Sequence, residues 1–160
     1  MCRSTGTSAR TPRVALSEQR VGEFLSALGA RTPAPASGAA TALTAALAAA
    51  LVELAARFAG DDEVALRANE VAARLTQLAD EDSEAYTAFM ENRTDETRQR
   101  IIAVPNEIAT LADEIAERAV AVREKVSPSV AGDADAAAEL ARAASRIARQ
   151  LVGLNEGGSK

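Results

Sequence analysis

Two aspartates stand where apolar side chains belong. Val71, Leu75, Leu78, Asp82, Ala85 and Phe89 step by four and three residues, so Asp82 falls on the seam of a helix that should face a core. Asp133 opens a second such stripe, continued by Ala137, Leu140, Ala144, Ile147, Leu151 and Leu154. A carboxylate turned inward is costly unless it is paired, hydrogen-bonded or facing a cavity. Burial disfavours its charged form and moves its proton affinity toward neutrality, where one group can both give and take a proton. Purely structural accounts compete with this chemistry: Asp82 bonded to a neighbouring helix end or an arginine, and Asp133 as an N-cap favoured by the helix dipole. Asp80, Glu81 and Glu84 point to other faces and read as a solvated acidic surface.

The rest of the composition narrows the chemistry. The chain has no histidine, which removes Ser-His-Asp and Cys-His nucleophile systems and the commonest zinc ligand. Carboxylates are left as the main proton carriers, and no ligand spacing proposes a metal site. The net charge of -5 and the near absence of aromatics argue against nucleic acid as a partner, since phosphates need a basic face and often stacking platforms. Cys2, the single cysteine, can form no intramolecular disulfide, so a cytoplasmic location is the expectation. Residues 1–15, with Arg3, Arg10 and Arg13 among Ser, Thr and Gly, read as a disordered tail without the apolar core of a signal peptide.

These side chains must be positioned by helices. The pattern predicts an all-α fold of about five of them in a single domain over 16–155, with a short tail at 156–160. The first runs from Ser17 as N-cap to Gly29, with Val21, Phe24, Leu25 and Leu28 on one face. A breaker follows at Thr32 to Gly38, whose junction with the next helix could present backbone N–H groups to an anionic or carbonyl-bearing ligand. The second helix, from about Ala39 to Ala59, carries Leu43, Leu47, Ala50, Leu54 and Phe58 at helical spacing and closes on Gly60. Its apolar run stops at Glu53 after about 14 residues, short of the roughly 20 a membrane span needs, so it reads as a core helix and no membrane is expected. The third spans Asp62 to Glu91. Thr94 caps a fourth, with Val104, Ile108, Leu111, Ile115, Ala119 and Val122 inward and Pro105 as a bend or restart. Ser127-Pro128-Ser129 reads as a second breaker, and Gly132-Asp133 begins the last helix.

In order, these pieces resemble the cyclodeaminase/cyclohydrolase family, that of bacterial methenyltetrahydrofolate cyclohydrolases and the cyclodeaminase domain of formiminotransferase-cyclodeaminase. Pro33-Ala34-Pro35-Ala36-Ser37-Gly38-Ala39 is similar to its Pro-x-Pro-Gly-Gly-Gly-Ser loop. Leu78-Ala79-Asp80-Glu81-Asp82-Ser83-Glu84-Ala85-Tyr86 resembles its Leu-Ala-Asp-Glu-Asp-Ala-Glu-Ala-Phe segment. Val104-Pro105-Asn106-Glu107-Ile108-Ala109 resembles Val-Pro-Leu-Glu-Ile-Ala, Gly132-Asp133-Ala134 falls on Ser-Asp-Ala-Gly, and Asn155 on an asparagine near the end.

The resemblance implies a mostly up-and-down bundle that dimerises and acts on one-carbon units carried by tetrahydrofolate. Asp82 and Asp133 become the catalytic pair, with Pro35, Ser37, Gly38 and Glu107 as ligand-binding residues. No tightly bound cofactor is implied; a tetrahydrofolate derivative would be the small-molecule substrate. Ala36, Ser37 and Ala39 replace two loop glycines and a serine, and Gly60-Asp61-Asp62-Glu63 is acidic where the family is often lysine-rich. A second reading therefore stays open, in which the chain is a catalytically degenerate relative that binds a ligand or a protein.

Overall fold

The computed structural model describes residues 14–157; Cys2, residues 1–13 of the expected tail and residues 158–160 lie outside the described residues. A 3-10 turn at Leu16–Glu18 precedes five helices: α1 (Val21–Leu28), α2 (Ser37–Ala59), α3 (Asp62–Glu91), α4 (Asp95–Arg123) and α5 (Pro128–Gly157). No strand occurs among the described residues, so the chain is an all-α bundle.

Local chemistry sets the ends. Asp61 caps α3, its carboxylate accepting from the Val64 N–H at 3.2 Å. Thr94 caps α4 by accepting from the Thr97 N–H at 3.2 Å. Gly60 ends α2 with φ of 70°, a left-handed conformation that glycine adopts without strain. Three expectations about ends need correction. The segment at Ser17 is a 3-10 turn, and α1 starts later, at Val21, where the Arg20 N–H bonds back to Glu23 at 3.1 Å. Ser127-Pro128 is the start of α5, because proline at a first helical position gives up an N–H that would have no partner anyway. Asp133 consequently lies in the second turn of α5 and is not its N-cap. Helix α5 also continues to Gly157, through part of the expected C-terminal tail.

Four long helices form the bundle, with α2 packed on α3 and α5, and α4 on α3 and α5. Cross-links fix an antiparallel register between chain neighbours. Arg67 and Arg74 of α3 reach Glu114 and Glu107 of α4 at 2.8 and 2.7 Å. Between α4 and α5, Ser145 donates to Asp113 at 2.6 Å, and Asn155 to the Ile101 carbonyl at 2.6 Å. One end of the bundle therefore gathers the start of α2, the Asp82 region of α3, the early turns of α4 and the last turn of α5.

The faces that α2 and α5 turn inward are made of small side chains, packed against the buried Leu75, Leu78, Ile108 and Ile115 of α3 and α4. Ala39, Ala42, Ala45, Ala48, Ala49, Val52, Ala55 and Ala56 of α2 are fully buried, as are Ala137, Ala141, Ala144 and Ala148 of α5. The expected inward stripe of α2 is instead its outer face: Leu47 is 64% exposed and Phe58 69%. Alanine lets helix backbones approach closely, and the interior selects that face over the bulkier one. By length and composition Ser37–Ala59 could cross a membrane despite Glu53, although half of its most apolar window is buried inside the bundle. Because the helices meet through alanines, enlarging a side chain should hurt more than the usual truncation. Ala48→Leu is expected to lower stability by about 1–3 kcal/mol in urea unfolding, and Leu47→Ala, on the outer face, to change it by well under 1 kcal/mol.

Candidate active site

Helix α2 begins without a cap of its own. Its N-cap residue, Ala36, has no side-chain acceptor, so the first amides of the helix lack a local partner. The partner comes from another helix. Asp82, on the inward face of α3, takes a hydrogen bond from the Ala39 backbone N–H, the third residue of α2, which an ordinary N-cap side chain would satisfy.

Gly38 makes this approach feasible. A Cβ built on Gly38 would lie 2.0 Å from Asp82 Oδ1 and 2.3 Å from Cγ, closer than any real contact. Asp82 therefore packs directly on the backbone at the loop–helix junction. Burial raises its carboxyl from an ordinary 3.8 to about 6, with the Ala39 N–H pulling in the opposite direction. The partial positive charge of the α2 N-terminus favours the anion, but desolvation outweighs it. What results is a carboxyl that changes protonation state at about pH 6, nearer neutrality than an ordinary aspartate.

The loop that precedes α2 lies beside it. Ala34 and Pro35 are buried, joined by a cis peptide bond, and Ser37 is exposed, its carbonyl accepting from Thr41 Oγ1 at 2.7 Å. A cavity of about 210 Å³ opens between Pro35, the 3-10 turn and α3, lined also by Leu16, Asp80, Ser83 and Glu84. Asp80 does not belong to a solvated surface as expected: its Oδ1 accepts from the Leu16 N–H at 2.7 Å and ties the 3-10 turn to α3.

The structure thus brings Gly38 onto Asp82, with Ser37 next to Gly38 in the chain, and sets Pro35 in a cavity with the neighbouring Asp80, Ser83 and Glu84 of α3. It does not bring Asp133 or Glu107 to them. Asp133 shares a level with Ala134, which packs among Ala55, Ala56 and Val122 at the opposite end of the bundle. The stretch of α5 from Asp133 to Asn155 alone is about 33 Å long. Glu107 lies on the α3–α4 seam, both carboxylate oxygens held by Arg74 at 2.7 and 2.9 Å, while the same guanidinium reaches Glu81 at 2.5 Å. Arg74 is two turns from Asp82 on α3, about 12 Å along the axis. Sequence reasoning missed Arg74. The Arg74 to Glu81 spacing of seven places both on one face, but the third partner depends on a register that only packing reveals. No group of metal-ligating side chains occurs among the described residues.

The profile of the formiminotransferase-cyclodeaminase family matches residues 20–160. The chain belongs to this family. Among solved structures it is similar to the formiminotetrahydrofolate cyclodeaminase of Thermotoga maritima, with a TM-score of 0.84 and 21% identity over 89% of this chain and 81% of that one. At that identity the likeness speaks for the fold. No curated protein matches the sequence. The proline loop and the acidic stretch of α3 meet in space at the Gly38–Asp82 contact.

Two outcomes follow from that contact. Asp82 is protonated in both folded and unfolded chains below about pH 3.8, and the unfolded chain ionises first as pH rises. Its contribution to stability therefore falls between pH 3.8 and about 6 and stays low above that. Asp82→Asn keeps an acceptor for Ala39 and avoids the ionisation. Its stability advantage over the wild type should be small at pH 4, grow up to pH 6 and level off at no more than about 3 kcal/mol, as read by denaturant unfolding across pH. Gly38→Ala should push the carboxylate off the Ala39 amide and cost about 1–2 kcal/mol, the value of a lost cap.

Proposed function

We propose that the chain acts on a C–N bond of a one-carbon unit carried by tetrahydrofolate or a related cyclic amidine, with Asp82 as proton donor and acceptor. In the cyclodeaminase form of the reaction, the second amine nitrogen of the folate closes on the formimino carbon and loses its proton, while the carbon's bond to the formimino nitrogen breaks and that nitrogen takes up a proton to leave as ammonia. In the cyclohydrolase form, water adds to the methenyl carbon and loses a proton as the ring C–N bond opens. Either needs one group that changes protonation state near neutrality, and Asp82 approaches that property because it is partly withdrawn from water at an open helix terminus. This carboxyl, packed on Gly38, is the observation that carries the reading.

In this reading Gly38 packs against it, Pro35 and Ser37 belong to the loop that would complete the wall, and the α2 N-terminus would supply a positive end for a carbonyl or anionic group of the substrate. Asp133 is too far from Asp82 within one chain to share its proton. We propose a homodimer, for which the exposed Leu54, Phe58 and Leu66 offer an apolar face. A role for Asp133 or Glu107 in the site would have to be supplied across such an assembly. The second reading, a binding module that has lost catalysis, is favoured by the role of Asp82 as a cap for α2, which would keep the carboxylate in place without any reaction.

Methenyltetrahydrofolate absorbance and ammonia release from formiminotetrahydrofolate separate the two. Turnover by the wild type, falling at least about 100-fold in Asp82→Asn, is expected for the enzyme. The wild-type rate should carry an ionisation near pH 6, absent from the variant: a fall above it marks Asp82 as the acid, a fall below it as the base. Absence of turnover in both proteins, with no thermal stabilisation by folates, would falsify the folate assignment.

A further inference from the structure

Pro105 stands inside α4, well beyond its first turn, and the helix continues through it. Its ring nitrogen has no hydrogen, so the bond that residue 105 would donate to the Ile101 carbonyl cannot form, and the ring presses against that same carbonyl. Ile101 is only 6% exposed, which leaves its oxygen little access to water. The oxygen has a partner nevertheless. Asn155 Nδ2, in the last turn of α5, donates to it at 2.6 Å.

The acceptor that Asn155 engages is thus the one that Pro105 orphans. The antiparallel pairs Arg67–Glu114 and Arg74–Glu107 run at constant register along α3 and α4, and extending them sets the Ile101 turn beside the Asp80–Asp82 turn of α3. This bond therefore closes the bundle at the level of the Gly38–Asp82 contact. We propose that Asn155 is a positioning residue that replaces the amide proton removed by Pro105, so that the two residues together hold the last turn of α5 against the start of α4 around the Asp82 end. A chain with Pro105 and no Asn155 leaves a buried acceptor unpaired; a chain with neither has no need of the asparagine. The bearing of this bond on catalysis rests on the proposed function, whereas the coupling of the two residues does not.

Four proteins test it: wild type, Asn155→Ala, Pro105→Ala and the double variant. Amide hydrogen exchange over residues 150–157 is the first readout. Asn155→Ala alone should speed exchange there about tenfold, the worth of one hydrogen bond to a buried acceptor, and the same substitution in the Pro105→Ala background should change it less than about twofold. Equal effects in both backgrounds, or no effect in the wild-type background, would overturn the coupling. The second readout is kcat at saturating substrate, expected to fall in Asn155→Ala with little change in KM and to recover in the double variant. Recovery of exchange protection without recovery of kcat would overturn the positioning role. A wild type with no turnover would sink the proposed reaction and leave the exchange cycle to decide the coupling.

Discussion

The contact between the Asp82 carboxylate and the open end of α2 is the interaction on which the candidate site depends. Helix α2 contacts α3, α4 and α5, yet its first residue follows an alanine that cannot cap it. The missing acceptor arrives from α3, through a gap that exists only because Gly38 has no side chain. A structural need and a chemical opportunity coincide here. Removing the carboxylate from water raises its proton affinity, and aiming it at a helix N-terminus limits the rise, so it settles at about 6 rather than becoming permanently protonated.

The neighbours of Asp82 show how a short acidic stretch can organise a bundle. Asp80, Glu81 and Asp82 are successive on α3 and so splay by about 100° from one another. Asp80 holds the 3-10 turn through the Leu16 amide, Glu81 reaches Arg74 and through it the α4 residue Glu107, and Asp82 caps α2. Three consecutive carboxylates thus engage three different elements. Their partners are two backbone amides and one arginine, which Glu81 shares with Glu107.

Much of this was legible in the sequence. The bounds of α3, the Thr94 cap and the glycine at the end of α2 follow from side-chain chemistry that acts over three or four residues. The inward placement of Asp82 followed from its position between Leu78 and Ala85. Two other features were not legible, for physical reasons. Helix α2 has two apolar faces, one of leucine and phenylalanine and one of alanine. Periodicity locates both without saying which turns inward; close packing chose alanine and left Leu47 and Phe58 outside. Ser127-Pro128 stops one helix and starts the next, and its reading as a breaker displaced the start of α5 by about a turn, which made Asp133 look like a cap. The partners of Asp80 and Glu107 depend on register between distant helices, which no local pattern encodes.

The alanine lining has a thermodynamic side. Alanine has no rotatable side-chain torsion between heavy atoms, so ordering it costs almost no side-chain entropy, whereas a leucine or isoleucine gives up roughly 0.5–1 kcal/mol. The inward faces of α2 and α5 therefore gain less apolar area per residue than leucine-packed ones, but they also freeze few rotors when the chain folds, and the larger Leu75, Leu78, Ile108 and Ile115 come from α3 and α4. The bundle's cohesion is carried by the long persistence of backbone-to-backbone proximity along helices of 23 to 30 residues.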